Sequence, residues 1–200
     1  MKKKRINYFK FLSLFFAIAV LVLIAGSVIA TCVVAVNPAV VAVAVGDSYG
    51  GGIVAYILQS GDPGYDANVQ HGLIAATVDQ STGIQWYNGT YVLTGAIGTA
   101  IGTGQANTTA IVEKQGVGSY AAKLCNDLTV GVYTDWFLPS KDELDKLYIN
   151  KDAIGGFAVY SYWSSSVYLA LYAWYQHFND GYQDYYYKYD TIRVRAVRAF

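Results

Sequence analysis

The stretch AWYQHFNDGYQDYYYKYD, residues 173–190, is the part of the chain that decides the fold. Large apolar side chains alternate with other residues through Trp174, Gln176 and Phe178, and Asn179-Asp180-Gly181 then offers a tight turn. Because neighbours on a strand point to opposite faces, the pattern predicts a β-hairpin. Trp174 and Phe178, together with Trp163 upstream, are predicted to be buried, while Tyr175 and His177 are predicted to be exposed.

The same region has an unusual composition, because ten of the 19 tyrosines lie between residues 160 and 190. Tyrosine offers a large rigid contact surface with two side-chain torsions to freeze, which suits recognition. A buried phenol needs its own hydrogen-bond partner, so a hydrophobic core has little use for so many. A Tyr-rich edge hairpin with no special role is the alternative. The predicted ligand-binding residues are Tyr168, Leu169, Leu171, Tyr172, Tyr175, His177, Asp180, Tyr182, Asp184, Tyr185, Tyr187, Tyr189, Asp190 and Ile192. One solvent-facing patch is expected to contain most of Tyr168, Tyr172, Tyr175, His177, Tyr182, Asp184, Tyr185 and Tyr189.

The candidate residues are also related through their codons. Tyr, His, Asp and Asn codons differ only in the first base, and Ile and Leu follow when the second base of an Asn codon changes as well. Substitution at adenines of ancestral Asn codons could therefore have produced them all. This indicates diversification of residues 160–192 by a retroelement.

The chain upstream predicts two helices among short strands. Apolar spacing indicates a helix from 119 to 128, and Ser140 with Glu143 forms a capping box that begins a second helix. Strands are predicted at 40–45, 53–58 and 71–78, and the Gly/Thr-rich segment 94–110 is predicted to be a loop. Strands follow to the C-terminus after residue 156, which together predicts an α+β domain with a mainly antiparallel sheet.

Seven ordered motifs carry a resemblance to a known family. They are GDSYGGGIVAYIL (46–58), HGLIAATVDQSTGIQW (71–86), GTGQANTTAIV (102–112), YAAKLCNDL (120–128), DWFLPSKDELDKLY (135–148), YWSSS (162–166) and RVRAVRAF (193–200). In this order they resemble the DUF1566 domain, also called the Legionella collagen-like protein C-terminal domain. The resemblance implies a C-type lectin-like fold over residues 45–200. It further implies an exposed C-terminal face that binds a ligand without catalysis, and in some members retroelement diversification.

The N-terminus predicts export from a bacterial cell to its envelope or surface. A basic segment precedes a long apolar run that ends near Cys32, so residues 1–32 are either a signal peptide or a membrane anchor, and residues 33–44 are a linker. Ile29-Ala30-Thr31-Cys32 resembles a lipobox with Cys32 as the lipidated residue; simple secretion is a third possibility. Removing the five basic residues of the first ten from the total of 14 leaves 9 basic against 14 acidic residues. This balance argues against a nucleic-acid partner and leaves a protein or cell-surface ligand.

No catalytic or metal-binding motif accompanies these features. His71 and His177 lie outside any zinc-site spacing, no cofactor motif is present, and no nucleophile elbow surrounds the serines 164–166. The alternatives are a calcium-dependent carbohydrate-binding lectin, with Asp180, Asp184 and Asp190 as ligands, or an enzyme on the same fold. Arg193, Arg195 and Arg198 are expected to pair with acidic groups of the helices.

Overall fold

The computed structural model describes residues 42–200, which form an α+β structure. The strands are β1 Ser48–Tyr49, β2 Gly52–Ile57, β3 Gly72–Ala75, β4 Ser81–Ile84, β5 Ser161–Leu169, β6 Tyr172–His177, β7 Gln183–Tyr187, β8 Ile192–Val194 and β9 Val197–Ala199. The helices are α1 Gly104–Gln115, α2 Ala121–Asn126, α3 Lys141–Ile149 and α4 Lys151–Ile154. The α+β class is thus confirmed, while the C-type lectin-like fold stays a prediction. The anchor, Cys32 and most of the linker lie outside the described residues.

The strands form two sheets. One has the order β1-β2-β3-β9 and the other the order β4-β8-β5-β6-β7. All pairs are antiparallel except β5 with β8, so the predicted mainly antiparallel arrangement is confirmed. The end of the chain joins the two sheets, because β8 belongs to one and β9 to the other. Strand β7 is the last strand of its sheet.

The predicted strand at 40–45 is wrong over its described part. Residues 42–44 have no regular structure and a turn follows them. The backbone of Val43 is bound by a side chain instead of a neighbouring strand, since its N–H donates to Gln70 Oε1 at 2.8 Å and its carbonyl accepts from Gln70 Nε2 at 2.9 Å. A run of β-branched residues does not reveal that a glutamine amide will take the place of a strand.

Helix α3 begins at the predicted capping box. Ser140 Oγ accepts from Glu143 N at 3.3 Å, and Glu143 Oε2 accepts from Ser140 N at 2.7 Å. The other carboxylate oxygen, Oε1, accepts from Gly102 N at 2.8 Å. Glu143 is fully buried, and burial raises the pKa of its carboxyl. One carboxylate therefore joins the start of α3 to the loop before α1.

Helix α1 was not predicted, because its first half contains Gly104, Asn107, Thr108 and Thr109, whose helix propensity is weak. Glycine is required at position 104 for a steric reason. A Cβ there would lie 2.1 Å from Glu143 Oε2 and 2.8 Å from both Phe137 Cε2 and Ser140 N. The glycine lets the helix approach the buried carboxylate.

We expect Gly104→Ala to lower the free energy of unfolding by about 1–3 kcal/mol, as is usual for overpacking. Alanine is the better helix former, so propensity alone would predict stabilisation of up to about 1 kcal/mol. Urea denaturation measures which effect is larger. Gln105→Ala, at the exposed neighbouring position, is the control and should change little; a stabilised Gly104→Ala protein would contradict the close approach.

The core consists of two apolar clusters, and β5 contributes to both. Trp163 packs with Trp86 and Trp136 in one cluster, whereas its neighbour Tyr162 packs with Phe178 in the other. Trp163 and Phe178 are buried, as predicted. The sheet that carries the tyrosine-rich strands is thus held by packing on both sides of β5.

The C-terminal arginines pair with loops and not with helices, which corrects the expectation. Asp79 follows β3 and accepts from Arg193 Nη1 at 3.0 Å, from Arg195 Nε at 2.8 Å and from the hydroxyl of Tyr162 at 2.9 Å. Arg198 binds Asp135, which lies before α3, through two contacts of 2.8 Å. Arg195 is almost fully buried, so Asp79 is its counter-ion inside the domain.

Candidate functional site

The predicted ligand-binding residues occupy different depths in the structure. Those that are exposed are Tyr168, Leu169, Leu171, Asp180, Tyr182, Tyr185, Tyr187 and Tyr189. Those that are half-buried are Tyr172, His177, Asp184, Asp190 and Ile192. Tyr175 is buried with 9% of its surface exposed, so its predicted exposure is wrong.

The error at Tyr175 follows from the register of β5 and β6. Tyr175 lies opposite Trp163, and both side chains enter the cluster around Trp86. Trp174 lies opposite Tyr185 on the other face and is only half-buried, although it was predicted to be buried. Both faces of β6 are buried over part of their length, since Tyr175 on one face and Gln176 on the other are buried, whereas Trp174 is half-buried. The prediction failed because the size of Trp174 was taken to mean burial. Because Trp174 is half-buried, its replacement by alanine is expected to cost less than a core substitution.

The prediction of one shared patch is also wrong, because the register of β6 and β7 divides the candidates between two faces. Tyr172 pairs with Tyr187 on one face, as Trp174 does with Tyr185. Tyr175 pairs with Asp184 on the opposite face. Cross-strand partners share a face, so each face carries its own cluster.

The first face carries a continuous row of aromatic rings that we term the aromatic ladder. Its members are Tyr168, Tyr172, Trp174, Tyr185, Tyr187 and Tyr189. Tyr168 and Tyr185 stack with centroids 4.0 Å apart and planes at 14°, and Tyr187 and Tyr189 stack at 4.9 Å. Tyr172 connects the two stacks, lying 5.5 Å from Tyr185 and 4.6 Å from Tyr187. The rings fix one another while leaving four of the tyrosines exposed.

The base of the ladder is fixed by polar contacts with α3. Lys141 Nζ lies 4.9 Å from the Trp174 ring, and its carbonyl accepts from Gln183 Nε2 at 2.9 Å. Buried Gln176 donates to Asp145 Oδ1 at 2.9 Å. The strands under the ladder are therefore joined to a capped helix, which makes the surface rigid before any ligand arrives.

The second face, with Tyr175, His177, Tyr182, Asp184 and Tyr186, is a mixed polar and aromatic cluster. His177 Nδ1 lies 2.9 Å from Ser161 Oγ, and the hydroxyl of Tyr182 donates to Asp184 Oδ2 at 3.4 Å. Burial, and next the negative charge of Asp184, raises the pKa of Tyr175. The phenol of Tyr175 is therefore a neutral hydrogen-bonding group at physiological pH.

The aspartates of the hairpin do not form a metal site. Asp180 Oδ1 accepts from Tyr182 N at 3.1 Å, and Asp184 Oδ1 accepts from Tyr185 N at 2.9 Å. Across residues 42–200, no three His, Cys, Asp or Glu side chains lie close enough together to hold a metal ion. The convergence of Asp180, Asp184 and Asp190 that would favour a calcium lectin is therefore not found in the described part of the chain.

The comparison with known families agrees with the sequence resemblance. The sequence model of the Lcl C-terminal domain matches residues 75–198, which is more than half of the chain. The chain belongs to the Lcl C-terminal domain family. This membership indicates a bacterial surface protein of the adhesin-like kind. No curated protein matches the chain.

The match of the Lcl domain family includes the whole tyrosine-rich hairpin. The aromatic ladder, which lies on β5, β6 and the segment from β7 to Tyr189, is therefore within the matched region. Among residues 42–200, no helix is both long and apolar enough to cross a membrane.

Lys188 of this Lcl domain has a structural role that was not predicted from the sequence, although it is the one cation in YYYKYD. It is 2% exposed, its Nζ donates to Ala170 O at 2.9 Å, and it lies 4.6 Å from the Trp86 ring. Burial lowers the pKa of its ammonium to about 8. The side chain fixes the strand that carries Tyr187 and Tyr189 to the turn before β6.

We expect Lys188→Met to raise the free energy of unfolding at pH 7 by about 1–3 kcal/mol, because a buried ammonium is costly and methionine is not. The pKa of Lys188 is lowered on folding from an unfolded value of about 10.4, so the unfolded chain binds more protons between about pH 8 and 10.4. Wild-type stability therefore gains on that of the variant as the pH rises through this window. Denaturation at pH 7 and pH 9.5 measures the change.

Lys114→Met removes an exposed lysine of α1 and is the control, for which the difference from wild type should not depend on pH. A difference between wild type and Lys188→Met that is equal at pH 7 and pH 9.5 would contradict the burial of a charged Lys188.

A separate concave region lies away from the hairpin strands. This cavity of about 330 Å³ is lined mainly by apolar residues, with Glu143, Asp135 and His71 among them. Glu143 accepts from backbone N–H groups, Asp135 binds Arg198, and His71 Nδ1 lies 3.1 Å from the carbonyl of Phe200. Glu143, Asp135 and His71 are thus engaged in contacts that hold the structure.

Proposed function

We propose that this Lcl domain protein is a non-enzymatic receptor or adhesin that binds a protein or cell-surface ligand through the aromatic ladder. The observation that carries the proposal is the exposure of stacked tyrosines in one continuous row on a rigid sheet. Tyrosine contacts give affinity at low cost in conformational entropy, and the ladder is already ordered by its own stacking.

The arrangement of charged groups supports binding over catalysis. An active site needs a base, acid or nucleophile that is free to act on a substrate. The titratable residues that line the 330 Å³ cavity, Glu143, Asp135 and His71, each have a structural partner. The ladder, in contrast, exposes the rings of Tyr168, Tyr185, Tyr187 and Tyr189 to solvent.

Display at the bacterial surface is part of the proposal. The apolar segment within residues 1–32 would export the domain, and either Cys32 lipidation or an uncleaved segment would hold it at the membrane. The C-type lectin-like fold implied by the family resemblance would present the C-terminal hairpin outward.

Retroelement diversification of residues 160–192 is a further part of the proposal. It is supported by the relation between the codons of the candidate residues. Most candidate residues are at least partly exposed, so their substitution is compatible with a stable core. Tyr175 is the exception, since a change there would disturb the packing against Trp163. Variation is therefore expected around Tyr175 and not at it.

Footprinting on the full chain tests the binding surface. Arrays of purified extracellular proteins and glycans are probed with the detergent-solubilised protein, and the ligand with the strongest signal is then used in hydroxyl-radical footprinting. We expect protection of Tyr168, Tyr185 and Tyr187, with no protection of Tyr65, an exposed tyrosine outside the hairpin. Protection of residues around the 330 Å³ cavity, with the ladder unprotected, would refute the proposed site.

The neighbouring DNA tests diversification separately. A reverse transcriptase gene beside a near-copy of codons 160–192 that differs at adenines is the expected finding. The diversification proposal would be refuted if sequenced descendants of one strain never vary at these codons and the near-copy is missing. The binding proposal would be unaffected by that result.

A further inference from the structure

Strand β7 has a free edge. It is the edge strand of the sheet with the order β4-β8-β5-β6-β7, and in the described part of the chain it pairs with β6 alone. The edge of a sheet presents unpaired backbone N–H and C=O groups, to which an extended chain can add as another strand.

The hydrogen bonds show which backbone groups point to this edge. Tyr182 O accepts from His177 N and Lys188 N donates to Leu171 O, both at 2.9 Å. The backbone N–H and C=O groups of even-numbered residues in this segment thus point to β6, and those of Gln183, Tyr185 and Tyr187 point to the outer edge. Of these outer groups, the carbonyl of Tyr187 accepts from Asp190 N at 3.0 Å. The contact of Tyr185 N with Asp184 Oδ1, a side chain of its own strand, agrees with this direction.

Aromatic side chains flank the free edge on both faces. Tyr185 and Tyr187 belong to the ladder, while Tyr182 and Tyr186 project from the second face, and all four are exposed. A strand added to β7 would send its side chains alternately to these two faces. Such a ligand would contact candidates on both faces at once, which a ligand lying on one face could not do.

The charge of the hairpin selects the chemistry of the added strand. The charged residues of segment 160–192 are Asp180, Asp184, Asp190 and Lys188. Since Lys188 is buried, the accessible charge is negative. Tyrosine faces also attract cations. Lysine and arginine side chains fit this combination.

We propose that the ligand is an extended peptide segment with Lys or Arg side chains, which adds to β7 as a new outer strand. This inference rests on the proposed function, because it names the ligand class of the same hairpin. A peptide carbonyl would take the N–H of Tyr185 from Asp184, and the released carboxylate would then face a cationic side chain.

The test uses a phage library of random twelve-residue peptides, selected on the detergent-solubilised full chain. Two variants separate ring from backbone: Tyr185→Ala removes the ring and keeps the N–H, whereas Tyr185→Pro removes both, and proline is tolerated at a sheet edge. Selected peptides should be rich in Lys and Arg, and should bind Tyr185→Pro at least about tenfold more weakly than Tyr185→Ala. The double substitution Asp180→Asn with Asp184→Asn should weaken the binding of these peptides about fivefold at low salt.

Synthetic peptides methylated at single backbone nitrogens provide the second measurement, which does not depend on the folding of any variant. Methylation at alternate positions should weaken binding by about tenfold or more, with little effect at the positions between. Selection of no peptide, or equal effects at all positions, would overturn strand addition. If methylation has no effect while loss of the ladder rings abolishes binding, the proposed function stands and the inference falls.

Discussion

Asp79→Ala is expected to lower the free energy of unfolding by about 3–5 kcal/mol, because it leaves the buried guanidinium of Arg195 without a counter-ion. Arg195 is 1% exposed, and Asp79 is its acidic partner at 2.7 Å. The same substitution removes the acceptor for the hydroxyl of Tyr162 and for Arg193. Since a domain has a total stability of about 5–15 kcal/mol, the loss is a large fraction.

Denaturation by urea measures this effect, and Asp135→Ala is the matched control. Asp135 also binds an arginine, Arg198, but its side chain is 52% exposed. An exposed pair contributes about 0–1 kcal/mol, so the control should change little. Equal effects of the two substitutions would contradict the buried role of Asp79. A double substitution of Asp79→Ala with Arg195→Met should recover part of the loss, because it removes the unpaired charge.

The second large effect concerns binding. Replacing Tyr168, Tyr185 and Tyr187 together by alanine should weaken ligand binding at least about 100-fold, since aromatic hot spots contribute about 2 kcal/mol or more each. The stability should fall only modestly, because cross-strand aromatic pairs at a surface contribute about 0.2–1 kcal/mol each. Tyr168 stacks on Tyr185, and both Tyr185 and Tyr187 contact Tyr172. None of the three is part of the buried core.

Local sequence rules predicted the elements whose signals lie within a few residues. The capping box of Ser140 and Glu143 marked the start of α3, because both partners lie within one helical turn. The alternation from Trp174 to Phe178 marked β6, because this pattern too lies within a few residues of sequence. Helix α1 was missed because its glycine serves a contact with Glu143, which lies 39 residues further along the chain (143 − 104).

Long-range pairing decided what the sequence could not show. Tyr175 is buried because Trp163 lies opposite it, and no local pattern indicates which face of β6 meets β5 in this way. Asp79 and Arg195 are distant in sequence and meet only after β3 and the C-terminal segment are in place. The composition of the hairpin did indicate an exposed aromatic surface, but its division into two faces required the register of β6 and β7.

The most direct test of the account measures the affinity of the full chain and two variants for the strongest ligand from the protein and glycan arrays. One variant has alanine at Tyr168, Tyr185 and Tyr187, and the matched control has alanine at Tyr49 and Tyr65, which are exposed tyrosines outside the ladder. The account predicts a loss of about 100-fold or more for the ladder variant and less than about twofold for the control. Equal affinity of the ladder variant and the wild-type protein, with both folded, would contradict it.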